Sequence, residues 1–296
     1  MKYLSVTEIA KKWNLSERSV RNYCAQERIA DAFLTGKTWN IPETAVKPQR
    51  SNKHENVPIT LLQILKAEKA AKHSGGIYHK LQIELTYNSN HMEGSQLTHD
   101  QTRYIYETNT IGIDNKSVNI DDIMETTNHF RCIDSIIDHA SDKLSQTFIK
   151  QLHALLKSGT SDSRKEWFAV GAYKKLPNEV GGKETALPED VCAKMSELLK
   201  NYHQTEAKTL AEIIAFHVAF ESIHPFQDGN GRVGRLIMFK ECLRNDIVPF
   251  IIDDTMKMFY YRGLHEWQSE PGYLTDTCLA AQDQFKKYLD YFRIAY

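Results

Sequence analysis

The stretch that decides how this sequence folds and acts is His224-Pro225-Phe226-Gln227-Asp228-Gly229-Asn230-Gly231-Arg232-Val233-Gly234-Arg235. Apolar residues at helical spacing precede it over residues 207–222, and good helix formers follow it. Pro225 cannot continue the first helix, and the glycines permit backbone conformations that other residues resist. We therefore predict a helix–loop–helix joint whose second helix begins near Gly231.

The end of this loop is suited to bind an anion. The free backbone amides and the dipole at a helix N-terminus attract phosphates, and glycines at 229 and 231 let a phosphate approach the amides closely. The Asn230 side chain can donate to a phosphate oxygen. Arg232 and Arg235 are three residues apart, so we expect them to share one helix face and to bind two phosphates.

Two further side chains of the loop can support phosphoryl or nucleotidyl transfer. His224 has an unperturbed pKa near 6.5, which suits a general base at neutral pH. Asp228 offers a carboxylate oxygen for Mg²⁺, which usually takes one or two carboxylates together with phosphate oxygens. A histidine before a proline is more often structural, but a packing role would not require the rest of this loop.

The twelve residues fill every specified position of the pattern HxFx(D/E)GNGRxxR, so the chain resembles the Fic family. The resemblance implies an all-helical fold that transfers AMP from ATP to Ser, Thr or Tyr hydroxyls of proteins, with His224 as general base and Asp228 as the Mg²⁺ ligand. Family members that phosphorylate carry Lys at position 231, so Gly231 favours AMP transfer. The resemblance assigns nucleotide contacts to Phe226, Gly229, Asn230, Gly231, Arg232 and Arg235.

A second match lies upstream, where Ser89-Asn90-His91-Met92-Glu93-Gly94 resembles the inhibitory pattern (S/T)xxxE(G/N) of the same family. It places Ser89, Glu93 and Gly94 on an inhibitory helix near residues 77–94. The resemblance implies that the Glu93 carboxylate pairs with Arg235 and so keeps this guanidinium from the γ-phosphate. The alternative is an ordinary surface or capping carboxylate.

Two other segments resemble parts of the family. Residues 168–187 are rich in Gly and Lys, with Gly181-Gly182 at the predicted tip of a β-hairpin, and correspond to the flap that aligns a target protein. Tyr260 and Tyr261 correspond to the aromatic helix beside the adenine pocket, although such a stripe is as often part of a core. His217 is predicted to be a core histidine.

The first 48 residues read as a separate module. Two short helices, the first capped by Ser5 or Thr7 and the second by Ser16, precede a hairpin around residues 35–37. This order resembles the winged helix-turn-helix of excisionase and MerR-like proteins. The predicted fold is thus mainly α: a helix-turn-helix domain over 1–48, a linker over 49–56, and a Fic helical bundle with a short hairpin over 57–296. DNA contacts are predicted for Arg18, Arg21 and Lys37. A small protein-interaction module is the alternative.

Composition bounds the remaining possibilities. The chain has a net charge of −1, but residues 1–50 carry nine Lys and Arg against five Asp and Glu, which suggests different partners for the two modules. Five scattered cysteines argue against a disulfide framework or a zinc site. Without a recognisable signal peptide or membrane span, we expect a cytoplasmic protein that binds no membrane, and a homodimer is compatible with it.

Three functions remain open on the sequence alone. The first is an adenylyltransferase that uses ATP and Mg²⁺ and modifies a target protein and itself. The second is a DNA-binding transcriptional regulator whose Fic core only senses nucleotide. The third is removal of AMP by the same residues, with water as the acceptor.

Overall fold

A computed structural model of the chain describes residues 2–48, 59–112 and 117–296. The chain divides into two compact units, Met1–Pro58 and Ile59–Tyr296. The predicted linker over residues 49–56 lies outside the described residues.

The first unit contains two short helices, the first capped by Ser5, one of the two residues predicted for it, and the second by Ser16. Ser5 accepts a hydrogen bond from the Glu8 amide, and Ser16 accepts one from Ser19. A three-stranded antiparallel sheet with the strand order β1-β3-β2 completes the unit. The elements are β1 (Tyr3–Leu4), α1 (Val6–Trp13), α2 (Glu17–Ala25), β2 (Phe33–Thr35) and β3 (Thr38–Pro42).

The three residues predicted to contact DNA lie on the surface of this unit. Arg18 and Arg21 are exposed on α2, and Lys37 is exposed in the turn between β2 and β3. Arg21 also forms an ion pair with Glu17 at 2.8 Å, one turn earlier on the same helix. Exposure is compatible with DNA binding but does not test it, so DNA binding stays a prediction.

The described part of the second unit contains ten α-helices and one short hairpin, so the prediction of a mainly helical fold is confirmed. Several helices begin with the reciprocal side-chain caps that the sequence favours, as at Thr60, Thr98 and Thr209. The elements are α3 (Leu61–Ala71), α4 (Ile77–Met92), α5 (His99–Thr108), α6 (Ile120–Asp138), α7 (Gln146–Lys157), β4 (Glu179–Val180), β5 (Lys183–Glu184), α8 (Pro188–Tyr202), α9 (Leu210–Ile223), α10 (Asn230–Arg244), α11 (Lys257–His265) and α12 (Gly272–Phe292).

Helix α10 lies at the centre of this unit. Nearly all of its residues are buried, and it packs against α9, α6, α4 and α7. A helix that is buried on every side belongs to the interior of a domain. The candidate loop therefore opens from the N-terminus of the central helix, with its side chains fixed by the surrounding packing.

Helix α11 begins only at Lys257, because the side chain of Asp253 caps a separate 3₁₀ turn over Asp254–Met256 before it. Among the residues that the structure describes, no helix combines the length and the apolar character needed to cross a bilayer.

Candidate active site

The loop between α9 and α10 has a fixed shape. Helix α9 ends at Ile223, and the next residue, His224, adopts a left-handed backbone conformation with φ of 51°. Gly229 precedes α10 with φ of 82°, a conformation that glycine adopts without strain. Between them, the Phe226 amide donates to Oδ1 of Asn230, and Nδ2 of Asn230 donates to the Phe226 carbonyl, both at 2.8 Å. The side chain of Asn230 thus holds the loop in this shape.

Phe226 and Asn230, which are both predicted to contact nucleotide, make contacts inside the protein in this structure. The Phe226 side chain is fully buried and stacks on His153, with ring centroids 4.0 Å apart. Asn230 is 1% exposed, and its amide group is bonded to the backbone of Phe226. In this structure the two side chains hold the loop in shape, and their contacts with nucleotide stay a prediction.

His224 is poised to accept a proton. Its side chain is 15% exposed, and burial lowers its pKa to about 4, so the imidazole is neutral at physiological pH. Nδ1 lies 3.3 Å from the Glu221 carbonyl. Because a carbonyl only accepts hydrogen bonds, Nδ1 carries the proton and Nε2 has the free lone pair. A general base needs this state.

Asp228 lies in a cluster of ion pairs that sequence reasoning did not find. Its Oδ2 atom accepts from Lys157 Nζ at 2.7 Å and from Arg232 Nη2 at 3.2 Å. Both cations also bind Glu125 of α6. Burial alone would raise the pKa of Asp228, but the charges of Arg232 and Lys157 lower it to about 2. The carboxylate is therefore ionised and available as a ligand at any physiological pH.

The donor set fits Mg²⁺. Asp228 keeps its second oxygen clear of both cations, and 47% of its side chain is exposed. Among the described residues, no group of three or more His, Cys, Asp or Glu side chains is arranged to hold a metal ion. The one exposed carboxylate of Asp228 suits a cation which binds one or two carboxylates and completes its shell with water and substrate phosphates.

Glu125 and Lys157 carry no local sequence signal. Arg232 reaches Glu125 across 107 residues, and Lys157 reaches Asp228 across 71. Neither residue belongs to a motif, and a Lys at the end of a helix is common for its interaction with the helix dipole. The pairs arise from the packing of α6, α7 and α10, which no spacing along the chain reveals.

The two arginines predicted to bind phosphates are held by carboxylates of different helices. Arg232 points toward α6, and its side chain, 4% exposed, binds Glu125 and Asp228. Arg235 points toward α4 instead. The two side chains therefore point in different directions, because Glu125 binds the guanidinium of Arg232 and Glu93 binds that of Arg235.

Arg235 is held by the predicted inhibitory residues. Its Nη2 donates to Glu93 Oε1 at 2.7 Å and to the Ser89 carbonyl at 2.9 Å, and its Nε lies 3.1 Å from Ser89 Oγ. Burial alone would lower the pKa of Arg235, but the Glu93 charge raises it. A Cβ added to Gly231 would collide with Glu93 Oε1. The Glu93 carboxylate thus lies directly against the first turn of α10, while Gly94 follows α4 with φ of 98°.

The two tyrosines differ in their surroundings. Tyr260 is 1% exposed, and its hydroxyl lies 2.6 Å from Nε2 of His217 inside the core. Tyr260 therefore belongs to the core in this structure and its contact with nucleotide stays a prediction, whereas His217 is buried as predicted. Tyr261 is 39% exposed and donates to the Met92 carbonyl at 3.2 Å, beside Glu93. Of the two tyrosines, Tyr261 is the more accessible to a ligand.

The predicted flap is attached to the loop. The Lys174 amide donates to the Pro225 carbonyl at 2.9 Å, and Asn178 Nδ2 donates to the Phe226 carbonyl at 3.1 Å. The buried Lys174 ammonium donates to Asn178 and Thr185, each at 2.6 Å. Beyond these contacts, the strands β4 and β5 form an exposed two-stranded hairpin around Gly181-Gly182.

Comparisons with known proteins agree with this geometry. Residues 143–242, from just before α7 almost to the end of α10, match the Fic/DOC family. The chain is 28% identical over 186 residues to the protein adenylyltransferase Fic of Drosophila virilis, covering 60% of this chain and 36% of the relative. It therefore spans about a third of the length of that curated relative.

Solved structures show the same fold. A Fic domain containing signaling protein from Bacteroides thetaiotaomicron aligns with a TM-score of 0.58 at 26% identity, over 78% of this chain and 90% of that one. Fic-1 from C. elegans aligns with a TM-score of 0.59 over 77% of this chain and 70% of that one; at 19% identity, it shows the fold alone. Residues 143–242 thus match the Fic/DOC family, and the chain is similar to proteins named protein adenylyltransferase Fic.

Proposed function

We propose that this chain is a protein adenylyltransferase that transfers AMP from ATP to a Ser, Thr or Tyr hydroxyl and is restrained by its own Glu93. The observation that carries the proposal is the Glu93–Arg235 ion pair at the start of α10. A carboxylate of the chain already occupies the end of the central helix where anions bind favourably. An ATP phosphate would compete for the same guanidinium.

The chemistry follows from the protonation states of the loop. Nε2 of the neutral His224 takes the proton of the target hydroxyl, whose oxygen attacks the α-phosphorus of ATP. The bond from that phosphorus to the bridging oxygen breaks, and pyrophosphate leaves. The amides at the start of α10 stabilise the charge on the phosphate oxygens. Asp228 would hold Mg²⁺, which when bound neutralises charge on the phosphates.

The restraint has a simple electrostatic basis. While Glu93 binds Arg235, the γ-phosphate lacks its cation and meets a negative carboxylate instead, which misaligns the triphosphate. Serine at position 89 strengthens the contact, because its carbonyl accepts from the same Nη2 and its hydroxyl lies beside Nε. Inhibition therefore depends on charge and geometry at one arginine.

Labelled ATP tests this proposal. We expect Glu93→Ala to label itself or a lysate protein from [α-³²P]ATP with Mg²⁺, but not from [γ-³²P]ATP, since AMP and not phosphate is transferred. Adding His224→Ala should reduce labelling by about 100-fold or more, the usual contribution of a general base. Glu84→Ala is the matched control, because Glu84 is also on α4 but pairs with Lys80 and His99. Label from the γ-phosphate, or none in Glu93→Ala, would refute the proposal.

The first unit is proposed to bind DNA through Arg18, Arg21 and Lys37, in addition to the transfer reaction. Their exposure on α2 and the adjoining turn supports this role. We expect the triple alanine variant to lose retention of genomic DNA fragments without losing AMP transfer. Equal retention by the variant and the native chain would contradict it.

A further inference from the structure

Lys157 takes no part in the reaction proposed above, yet it is among the most constrained side chains of the site. It is the last residue of α7 and is 2% exposed. Its ammonium group contacts three carboxylates: Glu125 at 2.5 Å, Asp228 at 2.7 Å and Asp162 at 3.2 Å. A buried lysine is costly unless carboxylates compensate it, so this placement calls for an explanation.

The contact with Asp228 is selective for one oxygen. The bonds from Lys157 and from Arg232 both end on Oδ2. The backbone of Asp228 is held as well, since its carbonyl accepts from His153 Nε2 at 3.2 Å, while Nδ1 of that histidine accepts from the Gly171 amide. Asp228 is thus fixed at its main chain and at Oδ2, and its carboxylate also accepts from the Gly229 amide; the bonds from both cations leave Oδ1 free of them.

We propose that Lys157 is a positioning residue for the metal: it binds Oδ2 of Asp228 and thereby presents Oδ1 to the divalent cation that accompanies ATP. The inference rests on the proposed function only in taking a metal–nucleotide complex as the ligand. Groups that hydrogen-bond a metal-binding carboxylate commonly orient it in this way.

The arrangement of charges explains why Arg232 cannot replace Lys157. Arg232 is shared between Glu125 and Asp228, and its contact with Asp228 is the longer of the two cation contacts at 3.2 Å. Without Lys157, Glu125 and Asp228 would share a single guanidinium. Asp228 could then rotate toward Arg232 and turn both oxygens away from the cation site.

Direct metal binding tests the proposal without turnover. Mn²⁺ is titrated, by electron paramagnetic resonance, into Glu93→Ala/His224→Ala chains with ATP. We expect Lys157→Met in this background to raise the Mn²⁺ concentration for half-saturation by about 10-fold or more, and the control Lys165→Met to change it by less than about twofold. Lys165 is suitable because it pairs with Asp162 but not with Asp228.

A double-mutant cycle separates positioning from other roles. Adding Lys157→Met to an Asp228→Asn chain should have no further effect on Mn²⁺ affinity, because the carboxylate that Lys157 orients is already gone. An equal loss in the two backgrounds would overturn the proposal. So would an unchanged Mn²⁺ affinity in Lys157→Met, or an equally large loss of ATP affinity without metal, which would indicate a direct phosphate contact.

Separate controls address the folding of the variant and the proposed function. Circular dichroism reports whether Lys157→Met keeps its helices; if it does not, the titration is made on Lys157→Arg. The planar guanidinium there cannot reproduce the compact three-carboxylate contact, so Mn²⁺ affinity should again fall, and an unchanged affinity would overturn the proposal. Since Mn²⁺ binding is read without AMP transfer, failure of the proposed function would leave this result interpretable.

Discussion

His224 and Glu221 lie three residues apart at the end of α9, and burial shifts their pKa values in opposite directions. Burial disfavours the charged form of each side chain, so the pKa falls for the imidazole and rises for the carboxyl group. The pKa of His224 falls to about 4, and that of Glu221 rises to about 8 through burial and the nearby charge of Glu93. Both side chains are therefore neutral at pH 7 in the resting protein.

The first prediction concerns the acid side of the pH profile. The base form of His224 is lost only as the pH falls through about 4, so kcat/KM for AMP transfer by Glu93→Ala should show no decrease near pH 6.5. Removing Glu93 cannot raise this pKa, because the Glu93 charge favours the imidazolium. Initial rates between pH 5 and 8 check this, and a half-maximal rate near pH 6.5 would contradict it.

The second prediction concerns stability at alkaline pH. A carboxyl group whose pKa is higher in the folded state stabilises the fold fully below its ordinary pKa, and this stabilisation is lost as the pH rises through about 8. Glu221→Gln cannot ionise, so its melting temperature should exceed that of the native chain at pH 9, and the difference should shrink as the pH falls toward the ordinary carboxyl pKa of 4.5. Each 1 kcal/mol corresponds to about 2–4 °C.

The control for this prediction is Glu93→Ala. Since the Glu93 charge contributes to the raised pKa of Glu221, its removal should weaken the loss of stability at alkaline pH. If the melting temperatures of the native chain and Glu221→Gln change with pH in the same way, Glu221 does not titrate as described.

At the scale of elements, the flap and the loop are joined by a small polar network. Asn178 donates to the Phe226 carbonyl and accepts from Lys174 and Thr185. We predict that Asn178→Ala loosens the hairpin, because the buried Lys174 ammonium loses one acceptor and the loop loses its side-chain link. Trypsin cleavage after Lys183 should be faster in this variant.

Glu179→Ala is the matched control for the flap. Glu179 is exposed in β4, one residue from Asn178, and its side chain takes no part in the network described above. Cleavage of this control should proceed at the native rate. Equal rates for Asn178→Ala and the native chain would show that the network does not hold the flap.

The elements themselves are largely predictable from the sequence, but the contacts between them are not. Ser5, Ser16, Pro225 and Gly229 mark helix ends through local backbone chemistry, and the structure places helix ends beside each of them. The spacing of apolar residues that buries one face of a helix is also a local property of the sequence. By contrast, the side-chain directions of Arg232 and Arg235 depend on carboxylates supplied by distant helices, and no spacing along the chain contains that information.

Tyr260 illustrates the same limit. Its aromatic neighbours and helical spacing fit a ligand pocket and a core equally well. The outcome depends on His217, 43 residues earlier, whose ring accepts or donates at the tyrosine hydroxyl. The contact of Glu93 with Arg235 is predictable because a sequence motif specifies Glu93. Lys157 belongs to no motif, and its contacts follow only from the packing of the helices.

At the scale of the whole molecule, the chain consists of two compact units, and every residue of the candidate active site belongs to Ile59–Tyr296. We predict that Ile9→Asp, which buries a charge in the core of the first unit, unfolds that unit without reducing AMP transfer by Glu93→Ala. Labelling from [α-³²P]ATP checks this. Loss of labelling while α3 to α12 remain folded would show that the first unit is needed for activity.

The rates of AMP transfer in four chains test most directly the central claim that Glu93 inhibits by binding Arg235. The chains are the native protein, Glu93→Ala, Arg235→Ala and the double variant. We expect Glu93→Ala to be faster than the native chain by about 10-fold or more, equivalent to about 1.4 kcal/mol. Both Arg235→Ala chains should be slow whether or not Glu93 is present. Acceleration by Glu93→Ala that persists without Arg235, or no acceleration at all, would contradict the claim.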